Sequence, residues 1–193
     1  LRLVAPNSHE PLSLSLGRAA AMSGLRVLII DCDARCPSLS AGIGDRPAMS
    51  LADVIKGNAN WKEAAVLDPL TSALVLPINA RTGEMQSLFR PEAVRKLLSD
   101  VRSDFDLIVM DCPPVLAVAE TRWLTLVADT TIVVTRWNRT RSSVVRTATR
   151  EILRAKGRVS GVVLNRIDVG MTKRFSFSDS LYYGSAGKGY YTN

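Results

Sequence analysis

Two apolar runs of this sequence end in aspartates. Leu28-Ile29-Ile30-Asp31-Cys32-Asp33-Ala34-Arg35 carries two acids two residues apart, and Leu107-Ile108-Val109-Met110-Asp111-Cys112-Pro113-Pro114 carries a third. In a parallel sheet the tips of two such strands can meet, so Asp31, Asp33 and Asp111 are expected to share a pocket. Alternation puts Asp31 and Asp33 on one side, provided the strand continues that far. Crowded carboxylates raise one another's pKa unless a cation lies among them. Mg²⁺ suits that place, because it takes oxygen ligands from carboxylates, water and phosphates. One aspartate at a strand end need only cap a turn. A DxDxR run together with a DxPP run points to phosphate chemistry.

The second chemical feature is a cluster of phenols. All four tyrosines, Tyr182, Tyr183, Tyr190 and Tyr191, lie in the run SLYYGSAGKGYYTN at the end of the sequence. Tyrosine is ordinarily spread through cores and interfaces. Here it sits among Gly, Ser, Ala and Lys, which neither fill a core nor hold a helix. A frayed end with chance aromatics is one reading. The other is a mobile tail, 168–193, that presents the four hydroxyls as phosphate acceptors.

The elements that must position the acids alternate in type. Strand-length apolar runs are expected at Leu1–Ala5, Arg26–Asp31, Ala73–Pro77, Phe105–Asp111, Thr130–Thr135 and Gly161–Asn165. Helical patterns fall at Pro11–Ser23, stopped by Gly24, at Pro91–Ser103 and near 118–127 and 140–156. Ser50 with Asp53 three residues on marks a further helix start. This order implies an α/β fold: a doubly wound parallel sheet with helices on both faces, filling one domain over 1–167.

Composition narrows the partners. The chain has 193 residues and a net charge of +7, with no apolar run long enough to span a membrane and no secretory leader pattern at Leu1–Pro6. From Arg136 to Arg174 eleven Lys and Arg stand against Glu151 and Asp168. Arg146, Arg150 and Arg154 form one stripe of the helix expected there. A solvated face, an anionic membrane surface, an acidic subunit or nucleic acid would each suit it. Without interleaved aromatics, single-stranded nucleic acid is disfavoured, and no nucleic-acid partner is expected. Cys32, Cys36 and Cys112 read as small buried side chains of a reducing compartment; with His9 as the sole histidine they do not make a zinc site.

On these residues the sequence resembles the bacterial tyrosine kinases. IIDCDAR looks like their Walker A′ motif, LIVMDCPPV like their Walker B, GVVLNRID like their last core strand, and the tyrosine-rich end like their autophosphorylated cluster. The resemblance implies a P-loop NTPase-like kinase domain using ATP or ADP with Mg²⁺. It implies that such a domain works at the cytoplasmic face of the bacterial inner membrane, fused to or paired with a polysaccharide co-polymerase in capsular or exopolysaccharide export. It further implies that Asp31 helps activate the acceptor hydroxyl, that Asp33 and Asp111 organise Mg²⁺, and that Asn165 meets the adenine. Arg35, from the same A′ run, falls on the nucleotide side. Subunits of a homo-oligomer would exchange the tyrosines.

One motif of that family is missing. Its phosphate loop, of the type GxxGK[ST], uses glycines for close backbone approach, Lys for charge and a hydroxyl for Mg²⁺. The corresponding stretch is Ala5-Pro6-Asn7-Ser8-His9-Glu10-Pro11; the first glycine of the chain is Gly17 and the first lysine Lys56. Counting back from Asp31 puts His9 at the Lys position, Glu10 at the hydroxyl and Ser8 at the preceding Gly. Two like unit charges about 4 Å apart cost about 4 kcal/mol at an effective dielectric of 20, so Glu10 opposes phosphate. The sequence therefore reads as a kinase-like domain with impaired or lost ATP binding, a scaffold or a substrate for a competent kinase acting in trans. An active autokinase with an unconventional loop, and a relative of the partition and septum-site ATPases binding DNA or membrane, are the alternatives.

Overall fold

The computed structural model describes residues 11–37, 39, 47–79 and 88–168, together with the backbone of 2–4. Seven strands form one sheet: β1 (Arg2–Val4), β2 (Val27–Asp31), β3 (Val66–Leu67), β4 (Leu74–Leu76), β5 (Leu107–Cys112), β6 (Thr131–Arg136) and β7 (Val159–Asn165). Their order is β3-β4-β2-β5-β1-β6-β7, parallel throughout except for β3, which runs antiparallel along β4.

Helices cover both faces, as the alternation of elements predicts. Val27 and Ile29 of β2, Val75 of β4 and Val109 of β5 pack with Leu14 and Ala21 of α1 (Leu12–Met22). The alternate residues Leu28, Ile30, Leu76 and Met110 face the other way. They meet α2 (Leu51–Lys56), α3 (Trp61–Ala64), α4 (Pro91–Val101) and α5 (Glu120–Val127) through Leu51, Trp61, Leu97 and Leu124. Helix α6 (Ser142–Arg154) joins this second face, where Ala148 and Ile152 pack on Val133. Each fully buried Leu or Ile contributes about 1.5–3 kcal/mol, so the apolar runs account for the sheet's burial.

Local signals set the element ends. Gly24, at φ +89°, ends α1 in the left-handed conformation. The Asp53 carboxylate accepts the Ser50 backbone N–H at 2.9 Å and its hydroxyl at 2.8 Å, a reciprocal cap on α2. A Cβ on Gly17 would stand 2.4 Å from Ile29 Cδ1, so glycine lets α1 lie directly on β2.

The structure corrects three expectations. Strand β7 is not covered on both faces: Val162 and Leu164 are about half exposed at the sheet's edge. Cys32 and Cys112 are buried, but Cys36 is exposed in the turn after β2. Two elements were not foreseen, α3 and the two-residue β3, both too short to show a period. The tail 169–193 lies outside the described residues.

Candidate functional site

Strands β2 and β5 pair in register from Val27↔Leu107 to Asp31↔Asp111. The last pair therefore sets two carboxylates side by side on adjacent strands. Both lie on the face of Val27, Ile29 and Val109, beneath the start of α1. Asp31 is fully buried and Asp111 is 6% exposed.

Asp33 reaches the pair by a different route from strand alternation. Strand β2 stops at Asp31, and the chain turns so that the Asp33 backbone N–H donates to Asp31 Oδ1 at 3.0 Å. Asp33 Oδ1 in turn accepts the backbone N–H groups of Arg35 and Cys36, each at 3.1 Å. The DxDxR run is thus two linked Asx turns, the ordinary local chemistry of aspartate. The Arg35 side chain is exposed, and it acts on Asp33 through its charge.

The electrostatics follow from this crowding. Burial, then Cys112 and the neighbouring Asp31 carboxylate, push the Asp111 carboxyl up to about 8, with Asp33 adding a smaller push. Burial also raises Asp33, against the two backbone N–H groups and the Arg35 charge that favour its anion. At neutral pH Asp111 therefore holds a proton that a nearby cation would displace.

One participant was not foreseen. Ser13, in the first turn of α1, is fully buried, and among the described residues its hydroxyl has no hydrogen-bond partner of good geometry. It still lies close enough to Asp111 to favour the charged carboxylate. The signal available in sequence was a polar residue at a position of α1 that otherwise packs on the sheet, between Leu12 and Leu14.

The acids fit a divalent cation in one respect: they are crowded together, and a cation among them would favour their charged forms. Among the described residues no three His, Cys, Asp or Glu side chains converge to hold a metal ion on their own. Asp33 and Asp111 would therefore form only part of a Mg²⁺ shell, with water and phosphate oxygens as the rest, the usual arrangement for this ion.

Asn165 ends β7 opposite Arg136, and its Oδ1 accepts the Arg166 backbone N–H at 2.8 Å. Three strand spacings separate β7 from β5, about 14 Å, so Asn165 stands across the carboxyl edge of the sheet from Asp111. Ser8, His9 and Glu10 lie outside the described residues, as do Tyr182, Tyr183, Tyr190 and Tyr191. The segment 5–11 nevertheless joins the carboxyl end of β1, next to β5, to the start of α1. The arginine stripe is a solvent face: Arg146, Arg150 and Arg154 are exposed, and Arg154 pairs with Glu151, which also holds Arg122 of α5.

Residues 10–154 match the family described as AAA domain. The succinoglycan biosynthesis transport protein ExoP of Rhizobium meliloti (strain 1021) is 29% identical over 178 residues, 90% of this chain and 23% of ExoP. The tyrosine-protein kinase YwqD of Bacillus subtilis (strain 168) is 26% identical over 171 residues, 86% of this chain and 68% of YwqD. The crystal structure of the VpsO kinase domain superposes with a TM-score of 0.78 at 26% identity, covering 86% of this chain and 84% of that one. The chain thus spans less than a quarter of the length of ExoP.

Proposed function

Because this chain belongs to the AAA-domain family and, within it, resembles the kinase domains of bacterial tyrosine kinases, we propose that it is a kinase-like domain of exopolysaccharide export that has kept the acidic half of an ATP site and lost the phosphate-binding half. One contrast carries this reading. Asp31 and Asp111 stand in register at the strand tips, while the segment 5–11 that links β1 to α1 in the chain contains neither glycine nor lysine. Backbone N–H groups cannot wrap phosphates closely without glycine, and Pro6 and Pro11 donate none.

The residues that remain can still do part of the work. Mg²⁺, when bound, would neutralise phosphate charge between Asp33 and Asp111. In this reading Asp31, buried beside Asp111, would accept a proton from an incoming hydroxyl at its carboxylate. The four terminal tyrosines supply acceptors of the right kind, and a competent kinase at the inner face of the membrane, beside a polysaccharide co-polymerase, would be their phosphate donor.

Calorimetric titration of the chain with Mg²⁺-ADP and Mg²⁺-ATP tests the proposal. No heat at millimolar nucleotide is expected, together with phosphotyrosine on Tyr182–Tyr191 only when an active kinase of this family is added. Saturable micromolar binding, with tail phosphorylation lost in Asp111→Asn, would instead make the chain an autokinase with an unconventional loop.

A further inference from the structure

The opposite edge of the sheet carries a second opening. A cleft of about 510 Å³ lies under the amino end of β5, between α4 and the junction of α5 with β6. That volume falls within the ~300–1,000 Å³ typical of small-molecule sites. The cleft opens on the face of β5 opposite the carboxylates: Ile108 and Met110 line it, whereas Asp111 shares the α1 face with Val109. Its floor is apolar: Leu98, Ile108, Met110 and Val127.

Its charges are arranged unevenly. Arg95 and Arg102 lie seven residues apart on one side of α4, Arg102 at the helix's C-cap, and both line the cleft. Neither guanidinium has an ion-pair partner among the described residues, although four other arginines do. Asp106 also lines the cleft, but its charge is already met by Arg26, whose Nη2 lies 2.7 Å from Asp106 Oδ1 and whose Nε lies 3.1 Å from Oδ2. The remaining acid, Asp129, stands on the far wall, at the α5–β6 junction.

We propose that this cleft is a binding site for a small amphiphile bearing a single phosphate or carboxylate. The anionic head would lie between Arg95 and Arg102, where two forked donors can hold its oxygens. The apolar body would cover Leu98, Ile108 and Met110. Asp129 would repel a second acidic group, which limits the ligand to one charged head. The site does not depend on the kinase-like reading of the other edge.

Calorimetry with octyl phosphate below its micellar concentration tests this, with inorganic phosphate as the headgroup alone and phosphatidylcholine vesicles doped with phosphatidate as the bilayer source. Saturable binding of octyl phosphate is expected, weakened about tenfold or more in Arg95→Ala/Arg102→Ala and strengthened in Asp129→Asn. Both arginines are exposed, so the double variant should keep the fold, checked by its unchanged urea midpoint. Inorganic phosphate should bind far more weakly, lacking the apolar contact. If the free amphiphile binds and vesicles do not, the ligand is a free molecule; if vesicles bind and the double variant releases them, it is a lipid headgroup. Equal binding by parent and double variant, or no binding of either amphiphilic probe, would overturn the proposal.

Discussion

Asp68 and Asp111 are both buried carboxylates, yet they titrate in opposite directions. Asp68, just after β3, is 1% exposed and receives Arg18 Nη2 at 2.7 Å, the Thr71 hydroxyl at 2.9 Å and the Leu70 backbone N–H at 3.2 Å. Burial would raise its pKa, but the Arg18 and Thr71 hydrogen bonds outweigh it and hold the carboxyl below its ordinary range. Asp111, 6% exposed, is pushed up to about 8 by burial first, then by Cys112 and the Asp31 carboxylate. Burial raises both carboxyls; only Asp68 has the cationic and hydrogen-bonding partners that reverse it. Asp68 has its counter-charge, whereas Asp111 lies among like charges, a crowding found at functional sites and in structural networks alike.

The largest effect is expected at Arg18. Arg18→Met leaves Asp68 buried without its counter-charge and should cost about 3–5 kcal/mol in urea denaturation at pH 8. The loss should shrink towards pH 4, where Asp68 can take up a proton. Next comes Asp111→Asn. The folded pKa of Asp111, about 8, lies above the ordinary aspartate value of about 3.8, so the native state binds the extra proton between these limits. Stability from this group is full below about pH 4 and is lost as the pH rises towards 8. The variant should remove that slope, gaining on the order of a few kcal/mol at pH 8 and almost nothing at pH 4. Added Mg²⁺ should narrow the difference at pH 8 by stabilising the parent alone. The smallest effect belongs to Arg26→Ala. Its pair with Asp106 is exposed, so the urea midpoint should barely move, while an NMR titration should show the Asp106 carboxyl rising from about 2 to its ordinary range.

Sheet and helices were largely legible in sequence because buried parallel strands write themselves as unbroken Val, Ile and Leu runs, as Val27–Ile30 and Ile108–Met110 do. The edge was harder. GVVLN reads as buried although Val162 and Leu164 are about half exposed, since an apolar run carries no mark of whether a second layer covers it. Asp31 and Asp111 were legible as strand-end acids, but their in-register pairing is a property of two distant segments. Asp33 joined them through a turn rather than through the strand's period. Ser13 escaped notice because a serine in a helix's first turn is ordinary until the sheet beneath it is known. The buried Arg18–Asp68 pair, fifty residues apart in the chain, has no local signature at all.

The β2–β5 pairing also bears on how reliably the chain finds its native form. If β5 slid by one residue along β2, Asp111 would swing to the face of Leu28, Ile30 and Leu76, among the side chains of the larger apolar cluster. Burying a carboxyl there without a partner costs more than misplacing a methyl group, so the native register is favoured over the shifted one. Leu, Ile, Val and Met are nearly interchangeable along these strands and would tolerate such a slip. The aspartate that burdens the finished fold at high pH thus also discriminates between one register of the sheet and its neighbour.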